Sequence, residues 1–181
     1  MTQAAPPPFR SRARLPKPKR ALMKVALGLR NKLLEMRLWW LRRYLGMDLH
    51  PGCRISLKAN LDWTNPSGVH VDDGTYIAFE AVILTHDMSR VLTTDTYIGK
   101  NCFIGAHSII MPGVRVGDHC IVATGAVVVQ DVPPNSIVGG NPAKILRSDI
   151  KTGRWGILQE HFEAGYAEGA VLRERNGIKT G

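Results

Sequence analysis

The sequence predicts an all-β core folded as a parallel β-helix of six-residue repeats, with an amphipathic α-helix before it and a short helical segment after it. The main observation is that branched aliphatic residues recur at every sixth position. A second observation is that the residues following them are mostly small, as tight turns between short strands require. The aliphatics are Ile55 and Leu61, then Val71, Ile77 and Ile83, and then Ile98, Ile104, Ile110, Val116, Val122 and Val128.

Three such repeats make one triangular coil, and each coil buries its aliphatics only against the coils above and below it. We therefore expect one stacked domain over residues 47–140, followed by a partly helical C-terminal segment and tail over residues 141–181. Cys102 and Cys120 are one coil apart. Because the three cysteines lack CxxC spacing, we interpret them as small, reduced packing residues rather than disulfides or zinc ligands.

One interruption of the repeat is informative. Ile83 and Ile98 are 15 residues apart, which is not a multiple of six. We therefore expect residues 88–97 to leave the prism as a loop, directly after Thr85, His86 and Asp87. Loops on a rigid scaffold are where binding and catalytic residues concentrate. The sequence therefore directs attention to His86.

The net charge of +9 comes entirely from residues 1–46, which hold 12 Lys and Arg against one Glu. Residues 1–20 are rich in proline and cations, and we expect a flexible basic arm there. Residues 21–46 show apolar residues at steps of three and four and are predicted to be helical. No run approaches the roughly 20 uncharged apolar residues of a membrane-spanning helix. The apolar run at residues 21–29 is not followed by the cleavage site of a secretory signal peptide. We therefore expect a cytoplasmic protein.

The role of the helix at 21–46 stays open between two compatible interpretations. In one, the helix packs on the base of the β-helix or against neighbouring subunits. Its apolar face then consists of Leu22, Val25, Ala26, Leu29, Leu33, Met36, Trp40 and Tyr44, widened by Leu34, Leu38, Leu41 and Leu45. In the other, residues 10–45 contact an anionic membrane, since tryptophans and leucines accompany the basic arm. Nucleic acid is not an expected partner, because no readout module is recognisable.

Two segments carry a family resemblance. Residues 83–87 read ILTHD, and residues 97–147 read YIGKNCFIGAHSIIMPGVRVGDHCIVATGAVVVQDVPPNSIVGGNPAKILR. They resemble the hexapeptide-repeat acyltransferases, most closely the branch of maltose, galactoside and exopolysaccharide O-acetyltransferases, which also includes xenobiotic acetyltransferases. The resemblance extends over about residues 50–148. It implies a left-handed coil, a handedness that the period alone does not show.

The resemblance also implies a homotrimer with active sites between neighbouring prisms, acetyl-CoA as co-substrate, no metal, and His86 as the general base. By similarity, CoA would run past Ala106, Thr124, Val129 and Gln130, with Pro142, Lys144 and Arg147 near its nucleotide end. Family members often have lysine where this chain has Gln130, so the resemblance is incomplete at that phosphate contact.

The chemistry fits a histidine base. A hydroxyl is a poor nucleophile until its proton is removed, and a neutral imidazole can take that proton near pH 7. A carboxylate is expected to orient the imidazole. Asp62 is the preferred candidate, followed by Glu80, and Asp87 is also available.

The predicted function is therefore acetyl-CoA-dependent O-acetylation of a sugar or polysaccharide precursor, by direct transfer in a ternary complex. A small-molecule or xenobiotic acetyltransferase is the alternative. Two more distant alternatives on the same fold are a scaffold without turnover and a γ-type carbonic anhydrase. The latter needs three zinc-binding histidines, and the histidine spacing here does not match.

Overall fold

The computed structural model describes the backbone of residues 17–160 and the side chains of residues 22–160. The arm expected at residues 1–20 therefore lies outside the described residues, except for residues 17–20, which are helical. The tail beyond residue 160 also lies outside them. The described chain divides into two compact units, one ending at Leu33 and one beginning at Leu34.

The second unit is a triangular prism of short parallel strands, as the six-residue period predicts. Its three sheets are named faces A, B and C, and the strands of each face stack in parallel register. Face A contains Asp48–Leu49, Val69–Val71, Thr96–Ile98 and Arg115–Val116; face B contains Arg54–Ile55, Tyr76–Ile77, Phe103–Ile104, Ile121–Val122 and Ile137–Gly140; face C contains Asn60–Leu61, Val82–Ile83, Ile109–Ile110 and Val127–Val128.

The core of the prism is the column of predicted aliphatics. The recurring aliphatic of each repeat is buried, and together these residues form one continuous cluster. Burying each such side chain contributes roughly 1.5–3 kcal/mol relative to leaving it in water. Cys53, Cys102 and Cys120 are buried and free, as predicted. The corners between faces repeat one backbone conformation, with positive φ at Gly74, Glu80, Asn101, His107, Gly113, His119 and Gly125.

The coils are not all the same length, and the irregularities fall at one corner. On face C, Leu61 pairs with Ile83 and Ile83 with Ile110, which separates them by 22 and 27 residues instead of 18. The extra residues lie between face C and face A in both coils. The first insertion contains a 3-10 turn at Pro66–Gly68. The second contains an antiparallel pair, His86–Asp87 with Leu92–Thr93.

The loop expected at 88–97 belongs to this second insertion, but its limits differ. Leu92–Thr93 form a strand inside it, and Thr96–Ile98 already belong to face A. The hydroxyl of Thr96 donates a hydrogen bond to the carbonyl of Leu84 over 2.6 Å, which ties the end of the insertion to its beginning. The insertion is therefore shorter and more ordered than a free loop.

The N-terminal helix spans Lys17–Arg43, beginning and ending earlier than the predicted 21–46. From Leu34 onward it packs on the first coil through Leu34 and Leu41, which are buried. The Arg37 guanidinium donates hydrogen bonds to the carbonyls of Ser56 and Ala59.

The expected apolar face of this helix was broader than the face that packs. Met36, Trp40 and Tyr44 are exposed. Of the residues expected to widen that face, Leu34 and Leu41 are buried, and Leu38 and Leu45 pack against the core. Both sets have helical spacing, so sequence alone could not separate them. No helix among the described residues is long and apolar enough to cross a membrane.

The C-terminal segment, which was expected to be partly helical over residues 141–181, opens with a strand. Ala143–Arg147 pairs antiparallel with Ile137–Gly140 at the end of face B. A side chain at Gly139 would meet Leu146 at 2.8 Å, so glycine there lets the hairpin fold back. The helical residues in the described part of this segment include a 3-10 turn at Arg154–Gly156.

Candidate active site

His86 and Asp62 form a close side-chain pair at the corner where the two insertions stack. Nδ1 of His86 lies 2.5 Å from Oδ2 of Asp62. The Asp62 side chain is 2% exposed and that of His86 is 25% exposed. The imidazole therefore lies partly exposed at the surface and is hydrogen-bonded to a buried carboxylate. This is the arrangement expected of a base with its orienting acid.

The carboxylate of Asp62 is also bonded to the main chain. Its Oδ2 accepts from the backbone N–H of Thr85 at 2.8 Å and of His86 at 3.0 Å, and its Oδ1 accepts from that of Thr64 at 2.8 Å. Burial raises the pKa of Asp62, but the bonds from Thr85, the His86 ring and Thr64 outweigh it and lower that pKa to about 2.

The ionised carboxylate fixes the tautomer of His86. A carboxylate can only accept hydrogen bonds, so Nδ1 carries the hydrogen in the neutral ring. Nε2 is then the unprotonated nitrogen. The pair can therefore take a proton at Nε2 while Asp62 stabilises the resulting imidazolium.

Asn65 joins the two insertions that carry this pair. Its side-chain amide donates to the carbonyls of Thr85 and Thr94, at 3.4 and 3.2 Å. In return, the Thr85 hydroxyl donates to the carbonyl of Asn65 at 2.7 Å. Gly68 leaves room beside it, because an added Cβ would overlap the Asn65 amide nitrogen and lie 2.9 Å from the backbone carbonyl oxygen of Thr94. Sequence reasoning missed Asn65, although it lies in the same NLDWTNP segment as Asp62.

The other two carboxylates considered from the sequence lie in different surroundings. Glu80 occupies a corner with a φ of 57°, and its backbone N–H donates to the carbonyl of Lys58. Asp87 accepts bonds from Ser89 and Arg90, which lower the pKa of Asp87 and close the turn of the hairpin. Among the described residues, the carboxylate bonded to the His86 ring is that of Asp62.

The residues expected along CoA fall into separate groups on one chain. Ala106 and Thr124 stack at the corner between faces B and C, where the backbone N–H of Gly125 donates to the carbonyl of Ala106. Val129 and Gln130 follow face C, at the same corner as His86 and two coils further along. Ala106 is buried, whereas Thr124, Val129 and Gln130 are exposed.

The remaining three expected contacts lie in the C-terminal hairpin. Pro142 is in its turn, and Lys144 and Arg147 are exposed on its second strand. The guanidinium of Arg147 is paired with Glu160 at 3.2 Å, which raises the pKa of Arg147 and offsets its charge. Lys144 is therefore the better placed of the two to meet a phosphate.

Face A carries a second polar feature that sequence reasoning did not single out. A groove of about 760 Å³ runs along this face. Within it, the His70 ring stacks on Tyr97 with centroids 4.3 Å apart, and the Arg115 guanidinium lies 3.8 Å from the Tyr97 centroid. Each of the three precedes a buried aliphatic by one residue, which marks it as outward-facing. Across residues 22–160, no group of three or more His, Cys, Asp or Glu side chains is arranged to hold a metal ion.

Comparisons with known proteins identify the family. Residues 96–130 match the family profile described as "Hexapeptide repeat of succinyl-transferase". The chain is also 33% identical over 115 residues to the Bacillus subtilis protein named "Putative acetyltransferase YvoF", covering 62% of this chain and 67% of that protein. The chain belongs to the hexapeptide-repeat acetyltransferases. Its prism is the left-handed parallel β-helix of this family.

The chain is also similar to two further curated acetyltransferases and to a solved structure. A chloramphenicol acetyltransferase of Agrobacterium fabrum is 55% identical over 66 residues, which is 36% of this chain and 32% of that protein. The galactoside O-acetyltransferase of Escherichia coli is 28% identical over 111 residues, 56% of this chain and 55% of that one. The chain thus spans about half or less of these two relatives. A solved hexapeptide-repeat acetyltransferase of Vibrio cholerae aligns with a TM-score of 0.49 and 25% identity, over 72% of this chain and 92% of that chain.

Proposed function

We propose that the protein transfers the acetyl group of acetyl-CoA to a hydroxyl of a sugar or polysaccharide precursor, with His86 as general base. The observation that carries this proposal is the bond between Asp62 and the Nδ1 of His86. It fixes the tautomer in which the neutral ring carries its hydrogen on Nδ1, so that Nε2 is the nitrogen that can take a proton. Such a group suits removal of a hydroxyl proton near neutral pH.

In this proposal the proton taken from the acceptor hydroxyl ends on the departing thiolate. Nε2 of His86 takes the hydroxyl proton as the oxygen attacks the thioester carbon, and Asp62 stabilises the imidazolium that forms. When the carbon–sulfur bond breaks, the same proton passes from Nε2 to the departing thiolate. His86 thus returns to its neutral form, and the products are an acetyl ester and free CoA.

Donor binding is assigned to the exposed residues of the expected set. Thr124, Val129 and Gln130 border face C, and Lys144 offers a cation for a phosphate. These groups are spread over different corners of one prism. Their separation suits an active site shared between neighbouring subunits of a homotrimer, in which each prism contributes one wall. The reaction would take place in the cytoplasm and would need no metal.

A second candidate function is acetylation of a small molecule or xenobiotic. It is favoured by the 55% identity to a chloramphenicol acetyltransferase, the highest among the relatives described above. That match covers only 32% of the relative, however, and so leaves about two thirds of that protein unmatched. The two candidates share the donor and the base and differ in the acceptor.

Two measurements on the full-length protein test the proposal in sequence. Calorimetric titration with acetyl-CoA should give one site per chain, and absence of binding would support a scaffold without turnover. CoA release should then be followed with maltose, galactosides, polysaccharide fragments and chloramphenicol as acceptors. Release that depends on a glycan supports the proposal, whereas release with chloramphenicol alone supports the second candidate.

A further inference from the structure

The helical segment of residues 22–33 exposes an apolar stripe. Leu22, Val25, Leu29 and Leu33 recur at steps of three and four, so they share one side of the helix. The first three are 72%, 69% and 60% exposed. A row of large apolar side chains in water is unfavourable and marks an interaction surface.

Packing on the β-helix does not account for this stripe. The helix is attached to the first coil by residues from Leu34 onward, with Leu34 and Leu41 buried and Arg37 bonded to two carbonyls. None of the six Leu, Met and Val side chains of residues 22–33 is buried in the described chain. These apolar residues therefore need another occupant.

The charge of the segment indicates which occupant. Residues 22–33 contain Lys24, Arg30 and Lys32 and no acidic residue. Lys24 lies on the side of the helix opposite the stripe, and Arg30 and Lys32 lie on its two flanks. The segment thus combines an apolar stripe with charges that are all positive, and Met23 and Leu27, each 50% exposed, lie on the Lys24 side together with the neutral Asn31.

Charge complementarity separates the alternatives. A second copy of this segment would bring the same three cations and no anion, so pairing two copies would place like charges together. A nucleic acid would satisfy the cations but would leave the leucines in water. An anionic lipid surface satisfies both, because apolar side chains enter the boundary between headgroups and acyl chains while cations stay near the phosphates.

We propose that residues 22–33 dock the protein on an anionic membrane surface, with the helix lying in the plane of the interface. Leu22, Val25, Leu29 and Leu33 enter the lipid, and Lys24, Arg30 and Lys32 remain at the headgroups. Trp39, which is 56% exposed further along the same helix, is a side chain of the type enriched at such interfaces. This inference does not depend on the acceptor or on the acetyl transfer itself.

Flotation of the full-length protein with vesicles tests the charge part of the proposal. The protein should bind vesicles of phosphatidylcholine mixed with phosphatidylglycerol, and should lose binding on pure phosphatidylcholine or in high salt. Each cation near an anionic leaflet strengthens binding about fivefold. The double variant Lys24→Glu with Lys32→Glu should therefore lower the partition coefficient at least about 25-fold.

A matched control changes the same charge elsewhere. Lys58 and Lys151 are exposed cations of the β-helix unit, and Lys58→Glu with Lys151→Glu should bind vesicles like the unaltered protein. Equal losses in both double variants would mean that only net charge matters, and this would overturn the proposal. A melting curve on each variant, together with acetyl-CoA titration, separates loss of docking from loss of fold.

A second variant tests the apolar part. Val25→Ser with Leu29→Ser keeps every charge and should still weaken vesicle binding at least about tenfold, because apolar insertion is removed. Unchanged vesicle binding would overturn the proposal. The proposal would also be overturned if the unaltered protein bound no vesicles and this double variant formed a smaller oligomer on light scattering. The stripe would then be a contact between copies. The proposal would also be overturned if the protein bound DNA but not anionic vesicles, with both supplied at the same concentration of negative charge.

Discussion

The carboxylate of Asp62 accepts hydrogen bonds from both the ring and the backbone nitrogen of His86, although the two residues are 24 positions apart. The ring bond fixes the tautomer, and the backbone bond fixes the position of the Cα atom. Because Asp62 is buried and anchored by Thr64 and Thr85 as well, the imidazole has little freedom to turn away. The proposed base is thus held before any substrate arrives.

Replacing His86 by alanine should reduce turnover by about 10²- to 10⁴-fold, since the general base is lost. Acetyl-CoA affinity by calorimetry should change little, because the imidazole acts on the acceptor hydroxyl. The matched control is Glu80→Gln, which alters a carboxylate at another corner of the prism and should leave turnover near normal. Wild-type kcat/KM in His86→Ala would refute the assignment.

Asp62 should make the stability of the protein depend on acid pH. The pKa of Asp62 falls from 3.8 to about 2 on folding, so its stabilising contribution is present above pH 3.8 and is lost as the pH falls through about 2. Asp62→Asn removes this contribution. Urea unfolding at stepped pH should therefore show a steeper loss between about pH 4 and pH 2 in the wild type than in the variant. Parallel pH curves for the two proteins would contradict the pKa assigned to Asp62.

Lys144→Ala should raise the KM for acetyl-CoA up to about fivefold, with kcat nearly unchanged, because one exposed phosphate contact worth up to about 1 kcal/mol is removed. The comparison variant is Arg147→Ala. Its effect should be smaller, since Arg147 is already paired with Glu160. Steady-state kinetics at saturating acceptor measures both. A larger effect at Arg147 than at Lys144 would reverse the two assignments.

Asn65→Ala should lower kcat about 10- to 100-fold and leave the KM for acetyl-CoA unchanged, because a loosened insertion displaces the base rather than the donor. The loss arises from the bonds that Asn65 makes to the carbonyls of Thr85 and Thr94. Ser67→Ala is the control, since the Ser67 hydroxyl contacts Asn65 without reaching the segment of His86. Equal effects of the two variants, or a change confined to the KM for acetyl-CoA, would contradict this positioning role.

The six-residue period predicted the prism because the spacing of the inward-facing aliphatic residues assigns each of them to one face. Ile98, Ile104 and Ile110 occur one per face, and each is buried on the face that the count assigns. The helix was predicted for a similar reason, but the predicted apolar face was broader than the face that packs. Trp40 and Leu41 are neighbours in the sequence and both are apolar, and only contact with the first coil decides that Leu41 is the buried one.

The sequence by itself determined the coil, its core and the prominence of His86, since these follow from local spacing and from one break in it. The tertiary structure decided what stands beneath His86. A constant 18-residue coil would stack His86 on Gly68, but the first insertion lengthens this coil to 22 residues, and the residue bonded to the His86 ring is Asp62. Insertions have no period, so their internal pairing is fixed only when Asn65 and the neighbouring coils bond across them.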